Sequence, residues 1–122
     1  MTTDYAPLDE TDSRLIPLYK RLIADDRHLV EEVRDRLTGA LLAEEVAPAL
    51  VGLTGTLDRL QGRLDCLEFG LEELRETGLE DHNLMSFLDQ RLIDQIADGF
   101  NVNQIRGFAT AITDTQTELL AP

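Results

Sequence analysis

Between residues 50 and 77, leucine recurs at positions 50, 53, 57, 60, 64, 67, 71 and 74, in steps that alternate between three and four. At about 3.6 residues per turn, that spacing puts all eight side chains in one continuous seam along a helix. A seam of this kind must be buried against another helix or another copy of itself. Taking Leu57, Leu64 and Leu71 as position a of a heptad makes Leu53, Leu60, Leu67 and Leu74 position d, so a dimeric coiled coil is one way to satisfy the pattern. The same helix carries Gly52, Gly55, Gly62 and Gly70. Four interior glycines oppose helix formation by about 4 kcal/mol, and burying eight leucines at about 1.5 to 3 kcal/mol each outweighs that only if a partner surface exists. Gly55, Gly62, Cys66 and Phe69 fall on a second face, mostly of small residues, where a neighbouring backbone can come close. The pattern is that of a central helix contacted on two sides, with bending at the glycines as the alternative.

On either side of this helix the apolar positions again recur at helical spacing. Leu15, Leu18, Tyr19, Leu22, Leu29, Val33, Leu37 and Leu41 predict one long helix over about 13–46, capped by Thr11, Asp12 or Ser13. Asp25 and Asp26 interrupt this stripe, and they and Gly39 mark the places where the helix would break if it were two. Pro48 opens the seam helix, about 48–77, and Gly78 followed by Leu79 closes it in a Schellman turn. Asp81 is placed to cap a third helix, about 81–98, carrying Leu84, Met85, Leu88, Leu92, Ile93 and Ile96, and Gly99-Phe100 repeats the stop signal. Asn101 or Asn103 opens a fourth, about 101–120, whose threonine-rich second half is expected to fray unless packing holds it.

The predicted fold is all-α: an antiparallel bundle built on a long helical hairpin, with two shorter helices at the C-terminus. Residues 1–10 lack periodicity and read as a flexible arm, leaving 11–122 as a single domain. The hairpin would be about 45 to 50 Å long and each of the last two helices roughly 27 Å, so one of them cannot cover it. Either helices three and four lie end to end along the hairpin, or two chains pair their hairpins with the shorter helices at the ends. The paired arrangement is preferred because symmetric dimers are the commonest oligomers.

Composition narrows the function classes. Twenty-four acidic residues against 11 basic ones give a net charge of −13, and the ten arginines are scattered among carboxylates instead of gathered on one face. Such a chain repels nucleic acid and anionic membrane, and suits a partner with a basic surface. No signal peptide and no membrane span is readable, and the single Cys66 cannot form an internal disulfide, so a cytoplasmic protein is expected.

Candidate chemistry is thin. Asp25, His28 and Glu32 share a helix face, but there is no Glu-x-x-His pair of the kind that di-iron bundles use, and His82 has no second nitrogen ligand near it. Cys66 lacks a CxxC companion and is flanked by Asp65 and Glu68, which favour its protonated form. We therefore expect no catalytic residue, no metal and no cofactor. The expected function is that of a non-enzymatic protein-protein interaction module, a small acidic adaptor, regulatory or chaperone-like protein acting through apolar helix faces, as a homodimer. Its interaction residues would be Leu53, Leu57, Leu60, Leu64, Leu67, Leu71 and Leu74. Two other classes stand as alternatives: a small metal- or ligand-binding enzyme in the bundle core, and an acidic nucleic-acid mimic that sequesters a basic protein. Replacing Leu60 or Leu64 with Asp is expected to abolish assembly or folding, read from helicity and oligomeric mass.

Overall fold

The structure, a computed structural model, describes residues 13–44 and 47–122. The N-terminal arm, with the candidate caps Thr11 and Asp12, lies outside the described residues. Four helices follow one another: α1 Leu15–Leu42, α2 Ala47–Glu76, α3 Leu84–Ala97 and α4 Val102–Leu120, with a short 3-10 turn at Asp81–Asn83 leading into α3. Among the described residues there is no strand, and the fold is the all-α bundle on a long hairpin. No described helix is long and apolar enough to cross a membrane.

The first helix runs unbroken through Asp25, Asp26 and Gly39 and stops at Leu42, a turn earlier than its periodicity suggests. The stop is conformational: Ala43 N–H bonds to the Gly39 carbonyl at 3.0 Å, Glu44 N–H bonds to the Leu41 carbonyl at 3.2 Å, and Glu44 takes a left-handed φ of 54° that turns the chain toward α2. Gly78 and Gly99 take the same region, with φ of 67° and 75°. At Gly99 the closure is a full Schellman motif, with Phe100 N–H on the Gln95 carbonyl at 3.0 Å and Gly99 N–H on the Ile96 carbonyl at 3.2 Å.

Asp81 has a different role from the one its position suggests. Its carboxylate accepts from Ser13 Oγ at 2.6 Å and from the backbone N–H groups of Arg14 and Leu15 at 2.7 and 3.2 Å, so it caps α1, far away in sequence. Ser13 Oγ in turn accepts from Ile16 N–H at 3.1 Å. The first turn of α1 exposes unpaired N–H groups, and a carboxylate brought in by the α2–α3 connection satisfies several of them.

Helix α2 is the centre of the molecule. On its leucine side it packs against α1, whose buried residues Tyr19, Ile23, Asp26, Val30, Val33 and Ala40, with half-buried Leu37 among them, follow the same alternation of fours and threes. The two helices form an antiparallel coiled-coil pair within one chain. On its glycine side α2 receives α4. Gly62 lies against the Gln104 backbone and Gly107 against the backbone of Arg59, so close that a Cβ at either position would overlap a carbonyl oxygen. Gly70 makes room for the Tyr19 ring in the same way. Helices α3 and α4 are therefore not end to end. They fold back beside each other, and α4 runs alongside α2 from Asn103 at Gly55 to Glu118, which Arg14 holds at 3.2 Å.

The main core lies where all four helices meet, around Leu15, Ile16, Tyr19, Cys66, Leu67, Leu74, Leu84, Leu88, Phe108 and Ala111. A second, smaller cluster of Val30, Val33 and Leu60 sits farther along the hairpin. The threonine-rich half of α4 stays helical because packing holds it. Thr115 is wholly buried, and the hydroxyls of Thr110, Thr113, Thr115 and Thr117 each donate to a carbonyl one turn back.

The glycine contacts predict opposite outcomes for one substitution type. Gly62→Ala or Gly107→Ala should lower unfolding stability by about 2 kcal/mol or more, because the helices must separate. Gly52→Ala meets nothing within 4 Å, and should raise stability by about 1 kcal/mol. Urea denaturation followed by helicity checks both.

Candidate interaction surfaces

Seven of the eight seam leucines pack into or against the core clusters, though unequally, and Leu50 lies half-buried outside both clusters. Leu60, Leu67 and Leu74 are buried, while Leu53, Leu57, Leu64 and Leu71 are half-buried at the edges of the two core clusters. The α1 stripe differs from its sequence reading. Leu29 and Leu41 are exposed, at 42% and 59%, and Asp26 is inside the seam with only 5% of its surface reaching solvent.

Asp26 is tolerated there because of Arg63. Arg63 Nε donates to Asp26 at 2.8 Å, its Nη1 lies 2.9 Å from the Asp114 carboxylate, and the same nitrogen reaches Thr110 Oγ1 at 3.4 Å. One guanidinium thus ties α1, α2 and α4 together. Burial raises the Asp26 pKa, and the hydrogen bond and charge of Arg63 only partly offset it. Burial also works against the Arg63 charge, but the bonds to Asp26 and Asp114 outweigh it and hold the guanidinium protonated. A polar group at one seam position fixes the register of paired helices, at a cost in stability.

The other buried polar contact joins Tyr19 to Thr115. Thr115 Oγ1 donates its hydrogen to the Ala111 carbonyl at 2.9 Å, so Tyr19 O–H is the donor to Thr115. Burial pushes the Tyr19 pKa upward. Cys66 is also wholly buried, and burial followed by the nearby Asp65 charge raises its thiol pKa, which leaves it a packed small side chain. His28 and His82 lie on the surface beside Glu32 and Glu80, at 3.1 and 3.5 Å. Among the described residues no group of three or more His, Cys, Asp or Glu side chains could hold a metal ion. A third polar cluster fastens α3 to α2: Asp65 accepts from Arg91 at 3.0 Å and from Gln95 at 2.7 Å, and the Arg91 guanidinium lies 4.3 Å above the Phe69 ring.

Among the described residues, three surfaces combine several apolar side chains that the other helices leave uncovered. At the far end of the hairpin, Leu41, Leu42 and Val51 are exposed, the last two at 82% and 70%. Around the α3–α4 turn, Ile93, Ile96, Phe100 and Val102 form a second exposed apolar set. The third is a groove between α1 and α2. One part, of about 550 Å³, is floored by Ile23, Ala24 and Leu71, and another, of about 240 Å³, by Val30 and Leu64. The ion pair of Arg27 with Glu68 bridges the two helices at this groove. Periodicity could not single these surfaces out, because it marks what is apolar and not what the other helices leave bare.

No family model, curated protein or solved structure matches the chain.

Removing Arg63 tests the polar tie. Arg63→Leu should cost about 3 kcal/mol at neutral pH, because Asp26 is left buried with its charge uncompensated. The folded-state pKa of Asp26 then lies farther above its unfolded value. The folded variant takes up the proton first, so the penalty is full above the folded pKa and fades as pH falls through it toward the ordinary carboxylate range. Adding Asp26→Leu should recover much of the loss at neutral pH. Unfolding curves across this pH range measure both effects.

Proposed function

We propose that the protein is a non-enzymatic interaction module, a small acidic adaptor, regulatory or chaperone-like protein of the cytoplasm that works as a homodimer and binds a further protein through apolar helix faces. The observation that supports this most is the exposure of large apolar side chains on helices that are already folded. Leu42 and Val51 at the hairpin tip and Ile93, Ile96 and Val102 near the α3–α4 turn are each more than half exposed. Apolar surface held out on helices that are already formed is characteristic of a surface that associates. The net charge of −13 suits a partner whose contact region is ringed by basic residues.

This reading moves the working residues. The seam leucines Leu60, Leu67 and Leu74 hold the hairpin together, so their role in association is indirect, through the frame they support. The apolar residues left exposed outside the seam, together with half-buried Leu64 and Leu71 at the groove, make the contacts.

Sedimentation across a wide concentration range should give a mass about twice 13.7 kDa, and a concentration-independent monomer would sink the homodimer. Capture from the native cell should recover a protein whose binding is lost with Leu42→Ser or Ile96→Lys while helicity is retained. Stoichiometric iron, manganese or zinc in protein purified without a tag would overturn the non-enzymatic reading.

A further inference from the structure

The groove between α1 and α2 has lips of opposite charge. On the α1 side, Lys20, Arg27 and Arg34 recur every seven residues, with Glu31 among them. On the α2 side, Glu68, Glu72 and Glu76 recur every four, with Arg75 among them. Between the lips lies the apolar floor of Ile23, Ala24, Leu64 and Leu71. Helix α4 occupies the face of α2 that carries Gly62 and Cys66, so it leaves this groove open.

We propose that the occupant of this groove is a second copy of the same chain, related by a two-fold axis running along the hairpin. The charge arrangement selects that axis. A two-fold axis parallel to the helices and lying in the open face sets α1 of one copy over α2 of the other, so each basic lip meets an acidic one. A two-fold axis across the helices would set α1 over α1 and bring like charges together. The favoured arrangement makes a four-helix layer from two hairpins, covers Leu64 and Leu71, and lets Arg27 of one copy reach Glu68 of the other. An isologous contact uses every such pair twice, so modest surface ion pairs add up.

This inference rests on the homodimeric reading above, and charge reversal separates the two. Arg27→Glu alone and Glu68→Arg alone should each weaken dimerisation by about tenfold, since each places two repelling pairs in the interface. Mixing the two single variants should restore a dimer of near-native affinity. In the mixed pair every intermolecular contact is again of opposite charge, while within each chain positions 27 and 68 repel. Restoration on mixing therefore cannot come from the intrachain ion pair. Both residues are exposed, so helicity should be unchanged. Sedimentation equilibrium of the full chain reads the outcome, and added salt should weaken the native dimer. If the native chain dimerises but neither reversal matters, or if mixing fails to restore the dimer, the groove is not the interface and the homodimer stands. If the native chain is monomeric at every concentration, both fall.

Discussion

The contact on which the rest of the structure depends is the crossing of α2 and α4 at Gly62 and Gly107. Each glycine faces the backbone of the other helix, and no side chain with a Cβ fits at either point. That proximity brings the second half of α4 within reach of α1. Thr115 meets Tyr19 there, Glu118 meets Arg14 at the start of α1, and Asp114 meets Arg63 of α2, which in turn holds Asp26 of α1. The same glycines disfavour helix in isolation, so α2 forms by virtue of being packed on two sides. Small residues in this helix trade intrinsic propensity for contact distance. Phe108 and Ala111, both wholly buried, show what α4 gains in return.

Much of this architecture was legible in residue spacing. The leucine steps identify α2 and its buried face, Gly78 and Gly99 mark two helix ends, and Gly55, Gly62 and Cys66 mark a rear face that a backbone can approach. These signals are local, each reading off a helix's own geometry. What spacing missed depends on partners distant in sequence. Asp26 looks like an interruption until Arg63 is placed beside it, and Leu29 and Leu41 look like core until the hairpin register leaves them outside. Asp81 reads as the cap of the helix that follows it, but its carboxylate serves a helix that begins more than sixty residues earlier. Gly107 gave no signal of its own, since a lone glycine in a polar-to-apolar helix has no pattern to betray it.

The two ends of the hairpin differ in kind. Near the chain termini of the bundle, four helices share one core and three buried or half-buried polar ties cross it. Farther out, α1 and α2 have mainly each other, and the buried cluster there is Val30, Val33 and Leu60. Gly39 and Gly52 meet no neighbouring atom within 4 Å, so their cost to helix formation is not offset by any close packing. Fewer apolar contacts and uncompensated glycines place this outer part at the low end of local stability.

That gradient bears on how association and folding are coupled. Leu41, Leu42 and Val51 are exposed in the outer part, where the bundle offers least support. A partner covering this region would add burial where stability is lowest, so binding free energy would appear as increased order in the outer hairpin. The groove runs from beside the main core, at Lys20 and Glu76, out to Arg34 and Gln61, and so joins the two regions. A second hairpin laid along it would extend the four-helix packing outward from the end that is already rigid. The buried seam leucines fix the hairpin as a frame, and the groove beside them, floored by Leu64 and Leu71 and with Arg27 and Glu68 on its lips, is what the frame presents.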